Sequence, residues 1–308
     1  MTEPPGAPDP GDPVDDPTAV FTAHRALLFT IAYEMLGSAA DAEDVVQDVW
    51  VRWSGAAGDP DGEQIRHPRA YLARITTRLA LNRLRTLSRQ REDYVGPWLP
   101  EPLLTAPDLL DNVLLTESVS MAMLVVLETL TPRERAVFLL REVFGFDHDE
   151  IGVAVGCSAA AARQTAHRAR EHVRARRPRF DPDPAALESA MAGFLGALGT
   201  GDLQALMDLM APDVVLLSDG GGKRQAARRP LHGADPVSRF LLGVVAKNDP
   251  FRVELRSVNG APGWLVHSAD GLDSVVQLVV SDGRIAQVLF VRNPDKLAGA
   301  GTEHPLAR

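Results

Sequence analysis

Apolar residues recur at helical spacing through the first 180 positions and at period two near the end. Phe21, Leu28, Ile31 and Met35 predict a helix from about Val20 to Leu36, and Gly37 is suited to end it in the left-handed conformation. Ser38, with Asp41 three residues on, reads as a capping-box-like start. The helix after it sets Val45, Val46, Val49, Trp50 and Trp53 on one face and Asp44, Gln47, Asp48 and Arg52 toward the other. GAAGDPDGEQ is a loop. A third helix, from Pro68 to about Ser88, offers Tyr71, Leu72, Ile75, Leu79 and Leu84 to a core.

EDYVGPWLPEPLLTAPD then breaks the periodicity and predicts a partly extended linker. An apolar helix is expected over Leu114–Leu130. Thr131-Pro132-Arg133-Glu134 combines a cap, a proline at the first helical position and a capping-box partner, and its helix should run to Phe144 and stop at Gly145. A short helix over Asp149–Val155, a turn at Gly156, a cap at Ser158 and an Arg-rich helix from Ala159 to about Arg177 complete a helix-turn-helix layout. PRFDPDP (178–184) is a second linker. Helices are predicted at 185–198, 202–210 and 235–247, followed by the strand runs FRVELRSV, GWLVHSA, DSVVQLVV and RIAQVLFV. Ser281-Asp282-Gly283 joins the last two as a hairpin turn. Three helices followed by a strand-rich meander make an α+β unit. The Pro-rich acidic start (1–18) should be disordered and AGAGTEHPLAR (298–308) a frayed tail.

At 308 residues the chain is long enough for two or three domains. Its apolar stretches are too short or interrupted to span a bilayer, and its start is not a secretory signal. A single cysteine, Cys157, excludes an internal disulfide framework and a Cys-based zinc site, and is expected to pack at its turn. No metal or cofactor is expected, and the chain reads as reducing and cytoplasmic. The net charge of −9 hides a pattern: residues 65–91 hold eight Arg and no acid, and residues 151–179 hold seven Arg and one Glu. Phosphate neutralisation needs local rather than global positive charge, so two cationic helices in an acidic chain point to nucleic acid.

GSAADAEDVVQDVW (37–50), HPRAYLARITTRLALNRLR (67–85) and LTPRERAVFLLREVFGFDHDEIGVAVGCSAAAARQTAHRARE (130–171) resemble, in order and spacing, regions 2 and 4 of bacterial extracytoplasmic-function sigma factors. The linker YVGPWLPEP (94–102), DGGGK (219–223) and NPDKL (293–297) resemble those of the subgroup with a fused C-terminal SnoaL-like domain, an α+β cone of the nuclear-transport-factor-two-like superfamily. The resemblance implies two all-α sigma domains followed by that cone: region 2 at 19–91, a linker at 92–113, region 4 at 114–178 and the SnoaL-like domain at 179–297. It implies core RNA polymerase (β′ clamp helices and β flap) and promoter DNA as partners, no membrane, and a fused domain that regulates in cis.

On that basis Asp41, Asp44, Gln47 and Asp48 are expected to dock onto the polymerase. Arg74, Arg78 and Asn82, four apart on one helical face, should contact the melted minus-ten strand, with Arg83 and Arg85 on phosphates. Arg163 and Gln164 should read minus-thirty-five bases in the major groove, with Thr165 and Arg168 nearer the backbone. Asp219, Gly220, Gly221, Gly222 and Lys223 form either a Gly-rich hairpin end or an anion nest, and Asn293, Pro294, Asp295, Lys296 and Leu297 should pack on that loop or on the linker.

Two other readings stay open. A SnoaL-like cone can bind a small ligand or carry acid–base chemistry, for which Asp213, Asp219, His232 and His267 are the candidates, though no spacing joins them. A plain helix-turn-helix regulator would use 131–177 alone, and would not need the first cationic helix or its acidic partner segment.

Overall fold

The computed structural model describes residues 16–57, 65–106, 113–176, 184–247 and 251–308. The acidic start and the second linker therefore fall almost wholly outside the described residues.

The first three helices form a bundle: α1 (Pro17–Leu36), α2 (Ala39–Ala57) and α3 (Pro68–Glu92). Gly37 ends α1 at φ +66°, with its N–H on the carbonyl of Tyr33. A Cβ there would also lie 2.5 Å from the Trp98 ring, so glycine is required twice. The Asp41 N–H donates to Ser38 Oγ at 3.2 Å. The return half of that box is not made, because the Asp41 carboxylate accepts from Arg83 instead.

The apolar helix expected over Leu114–Leu130 is two helices, α4 (Val113–Val119) and α5 (Met121–Leu127). Ser120 breaks it: its backbone is non-helical and its hydroxyl caps Met123 N–H. Helix α6 (Pro132–Phe138) carries both halves of the Thr131–Glu134 box, and the Thr131 hydroxyl holds the Glu134 carboxyl below its usual range. It continues as one π-helical turn, Leu139–Val143, before Gly145. Helices α7 (His148–Val155) and α8 (Ala159–Arg176) meet at Gly156, φ +74°.

The C-terminal domain sets α9 (Pro184–Thr200), α10 (Leu203–Asp208) and α11 (Ala234–Lys247) against a six-stranded sheet. Its strands are β1 (Met210–Asp219), β2 (Leu231–His232), β3 (Arg252–Val258), β4 (Ala261–Ser268), β5 (Gly271–Ser281) and β6 (Arg284–Val291), in the order β2-β1-β6-β5-β4-β3. The last four are the predicted meander, and Asp282 and Gly283 both take positive φ at the β5–β6 turn. Strands β1 and β2 were not expected. The 202–210 helix stops at Asp208, and MAPDVVLLSD becomes β1, parallel to β6. A short helix, α12 (Pro294–Leu297), follows. The domain is α+β, as expected, a cone in which the six-stranded sheet curves against α9–α11.

Three apolar cores follow. One is continuous through α1–α3 and α5–α8, so the two helical units share an interior. A second fills the cone between the sheet and α9–α11. The third lies on the other sheet face: Leu99 and Leu104 of the linker and Met121 and Ala122 of α5 pack on Val258, Leu265, Val275, Val279, Leu289 and Val291. Strand β5 is buried on both faces, which explains its nearly unbroken apolar run.

Two expectations about loose segments fail. The linker is a buried seam, with Leu99, Leu103 and Leu104 sequestered. The tail is not frayed: His304 stacks on Phe29 at 4.8 Å, and Ala307 N–H donates to Thr30 Oγ1 at 3.1 Å. Among the described residues no helix is long and apolar enough to cross a membrane.

Candidate nucleic-acid and partner interface

Helix α2 buries Val45, Val46, Val49 and Trp53, so Asp44, Gln47 and Asp48 are left on its exposed side. Asp41 differs, with a side chain only 15% exposed against 66% for Asp44. Arg83 of α3 lies 2.5 Å from Asp41 and 3.6 Å from Asp44, and these acids hold its guanidinium above the ordinary arginine range. The acidic set and the cationic helix are thus tied to each other across the α2–α3 groove.

Helix α3 turns Leu72, Ile75, Leu79 and Leu84 inward and leaves Arg69, Arg78, Arg83 and Arg85 exposed, with Arg74 half-buried. Arg74 stacks on Tyr71 at 4.9 Å. Asn82 accepts from Arg85 at 2.9 Å. Arg78 donates to the carbonyl of Val153, in α7, at 2.9 Å. Arg69, about two and a half turns earlier, donates to the Phe144 carbonyl at 3.0 Å and covers the Phe146 ring at 4.4 Å. Of the face predicted to meet single-stranded DNA, Arg78 is therefore tied to the helix-turn-helix unit, while Arg74 and Asn82 make their contacts within α3.

On α8, Ala162, Thr165, Ala166, Ala169 and Val173 face inward. Arg163, Gln164 and Arg168 are exposed. Thr165 departs from expectation: at 8% exposure it belongs to the packed face and cannot reach a DNA backbone. Cys157 is half-buried beside the Gly156 turn.

The three motifs at 94–102, 219–223 and 293–297 converge on one carboxylate. Asp219 ends β1 fully buried. It accepts from Tyr94 Oη at 2.5 Å, Leu99 N–H at 2.8 Å, Gly221 N–H at 3.0 Å and Lys296 Nζ at 2.7 Å. Lys296 also donates to the Leu99 carbonyl and lies over the Trp98 ring at 3.9 Å. Burial lowers the Lys296 pKa to about 8, against the pull of Asp219. Asn293 donates to Tyr94 Oη at 2.8 Å and caps α12. A Cβ at Gly221 would sit 2.4 Å from Asn293, so the loop is glycine by close approach as well as by φ +58°. Lys223 pairs with Asp295 at 2.6 Å in the open. The loop is not an anion nest: the anion at its base is Asp219, part of the chain itself. NPDKL packs on both the loop and the linker.

Several connecting residues had no signal in the sequence. Asn259, at φ +51° and fully buried, donates to Tyr33 Oη at 2.7 Å and the Val119 carbonyl at 2.9 Å, and its oxygen accepts from Leu103 N–H. It thereby joins the cone to α1, α4 and the linker. Arg91 and Arg135 both pair with Glu128 and donate to the last carbonyls of α1, Leu36 and Met35. Glu34 is fully buried on α1 and accepts from Ser118 Oγ at 2.6 Å, and burial pushes its carboxyl up to about 8. The acid–base candidates do not assemble. Asp219 is occupied, His267 faces Glu254 at 3.6 Å, and none of Asp213, Asp219, His232 or His267 lines the cavity inside the cone.

A sigma-70 region 2 model matches residues 20–90, and a sigma-70 region 4 model matches residues 120–173. The chain is 38% identical to the ECF RNA polymerase sigma factor SigJ of Mycobacterium tuberculosis, over 91% of this chain and 93% of that protein. It is 32% identical to the probable ECF RNA polymerase sigma factor SigI of the same species, over 93% of this chain and 95% of the other. The crystal structure of M. tuberculosis SigJ superimposes with a TM-score of 0.74 at 35% identity, covering 92% of this chain and 99% of that one.

Proposed function

Because the chain belongs to the extracytoplasmic-function RNA polymerase sigma factors, we propose a division of labour among its surfaces and an order in which they act. It directs core polymerase to promoters and does no bond chemistry through its sigma regions. The proposed units are region 2 at 19–91, region 4 at 114–178 and the cone at 179–297. Asp44, Gln47 and Asp48 form the docking rim for the β′ clamp helices, where acids opposite basic groups steer encounter and fix register. Asp41 supports that rim by holding Arg83. Arg74, Arg78 and Asn82 take the minus-ten strand, with Arg83 and Arg85 on phosphates. Arg163 and Gln164 read minus-thirty-five base edges, Arg pairing with guanine and Gln with adenine, with Arg168 on the backbone. Region 4 also meets the β flap, and the site of action is the cytoplasm.

One observation carries the order of events: Arg78 bonds to Val153, so the minus-ten face abuts region 4. Elements named for positions 10 and 35 lie about 25 base pairs apart, or about 85 Å at 3.4 Å per pair. Helices in contact cannot serve both. The docking rim and the Arg163 edge are exposed in the closed chain; Arg78 is exposed as well, but its guanidinium is engaged by the Val153 carbonyl across the α3–α7 contact. The chain therefore docks first and opens afterwards, and the cone, clasped on linker and α1, sets the cost of opening.

Run-off transcription with purified core polymerase tests this. A defined transcript is expected only when the chain is added, and D44K/D48K should abolish it while leaving the fold intact. Promoter binding without transcription would instead mark a plain helix-turn-helix regulator.

A further inference from the structure

The cone encloses a cavity of about 240 Å³ between β4–β6 and helices α9 and α11. Its wall is almost wholly apolar. Phe194 and Trp264 lie in it as a stacked pair, centroids 5.5 Å apart and planes 12° from parallel, which gives a flat aromatic surface. The mouth is apolar too: Leu195, Val245 and Val253 are 36%, 37% and 41% exposed. A cavity of about 150 Å³ with such a lining stays dry and takes up benzene, so this one has room for one or two rings.

Charge is selected against. Asp273 is the ionisable residue of the wall, and it is already paired with Arg292 at 2.9 Å, both being nearly buried. A ligand anion would face that carboxylate in an apolar site, and a ligand cation would lose its hydration without a free partner.

Asp273 also connects the wall to the seam. Arg292 donates through Nη2 to Asp273 and through Nη1 to the carbonyl of Gln225, beyond the Gly-rich loop. Its backbone N–H donates to the Asp219 carbonyl at 2.6 Å, and the next residue is Asn293, bonded to Tyr94. A molecule pressing on the Asp273 wall therefore acts, two bonded contacts away, on the backbone of Asp219, the residue whose carboxylate gathers the linker.

We propose that this cavity binds a neutral, apolar one- or two-ring molecule and that the Asp273–Arg292 pair passes its occupancy to the linker seam. The transmission half rests on the clasp described under the proposed function, but its test needs no transcription. Naphthalene, and 2-naphthoate as its anionic counterpart, are titrated calorimetrically into the full chain. Naphthalene should bind saturably at one site, and 2-naphthoate at least tenfold more weakly. Val244→Phe and Gly199→Leu should each weaken naphthalene at least tenfold. A Cβ at Gly199 meets nothing within 4 Å, so that variant decides the matter if Val244→Phe fails to fold. Unsaturable uptake, equal affinity for the anion, or undiminished binding to folded Gly199→Leu overturns the site.

Hydrogen exchange of the peptide holding Leu99 should change at least twofold on saturation. That change should vanish in Arg292→Lys, which still binds naphthalene but cannot make both side-chain contacts at once. An unchanged Leu99 peptide with naphthalene bound, or an unaltered response in Arg292→Lys, overturns the transmission.

Discussion

Glu34 is a carboxyl on a helix that otherwise supplies Phe29, Ile31, Tyr33 and Met35 to the core. One oxygen accepts from Ser118 and the other has no partner, as suits a protonated acid at neutral pH. Its folded pKa, about 8, lies above the ordinary 4.5, so the folded state holds the proton more tightly. The stability it contributes is complete below about pH 4.5 and is lost as pH rises through about 8. Glu34→Gln keeps the contact with Ser118 and removes the titration. Thermal melts of the variant and the parent should coincide near pH 5, and the variant should melt several degrees higher at pH 8.5. Asp219 is the opposite case, a buried anion with every partner in place. Asp219→Ala leaves Lys296 buried without its counter-ion, and breaking such a pair costs about 3–5 kcal/mol, which denaturant titration would register. Neither role was legible in the sequence. Periodicity marks where a side chain points, but not which distant segment meets it. The carriers of the seam, Tyr33, Asn259 and Asp219, are joined across 68 to 226 positions.

Among the elements, α7 and α8 were legible almost in full because caps and glycines bound them locally: Asp147, Gly156 and Ser158 each act within a few residues. The same logic failed where a polar residue competes within an apolar run, as Ser120 does between α4 and α5. It failed again at β1, whose VVLL run suits helix or strand alike until β6 supplies a partner. The exposed edge of α8 carries a prediction: Arg163→Ala should weaken binding to a matched minus-thirty-five element about 5- to 150-fold, as one bidentate base contact is worth about 1–3 kcal/mol. The contact of α3 with region 4 carries another. Arg69 reaches across that contact to the Phe144 carbonyl and the Phe146 ring, and is not assigned to DNA. Arg69→Ala should therefore ease opening and raise transcript yield at limiting chain concentration. A yield at or below the parent level in the run-off assay would show that this contact does not restrain the chain.

At the scale of the whole molecule, helical units followed by an α+β unit are legible from the helical and period-two spacing of apolar residues. Their mutual embrace is not. It depends on the linker packing flat on the outer sheet face and on residues 303–307 returning to α1, both of which the Pro, Gly and Ala content suggested were loose. The order of events proposed above has the chain come apart to work. Spin labels at native Cys157, in the region 4 turn, and at an introduced Thr86→Cys, on the exposed side of α3, measure that directly by pulsed dipolar spectroscopy. The free chain should give one short distance, and the active holoenzyme on promoter DNA should give one longer by tens of ångströms. The same short distance in both, with transcription intact, would contradict the account.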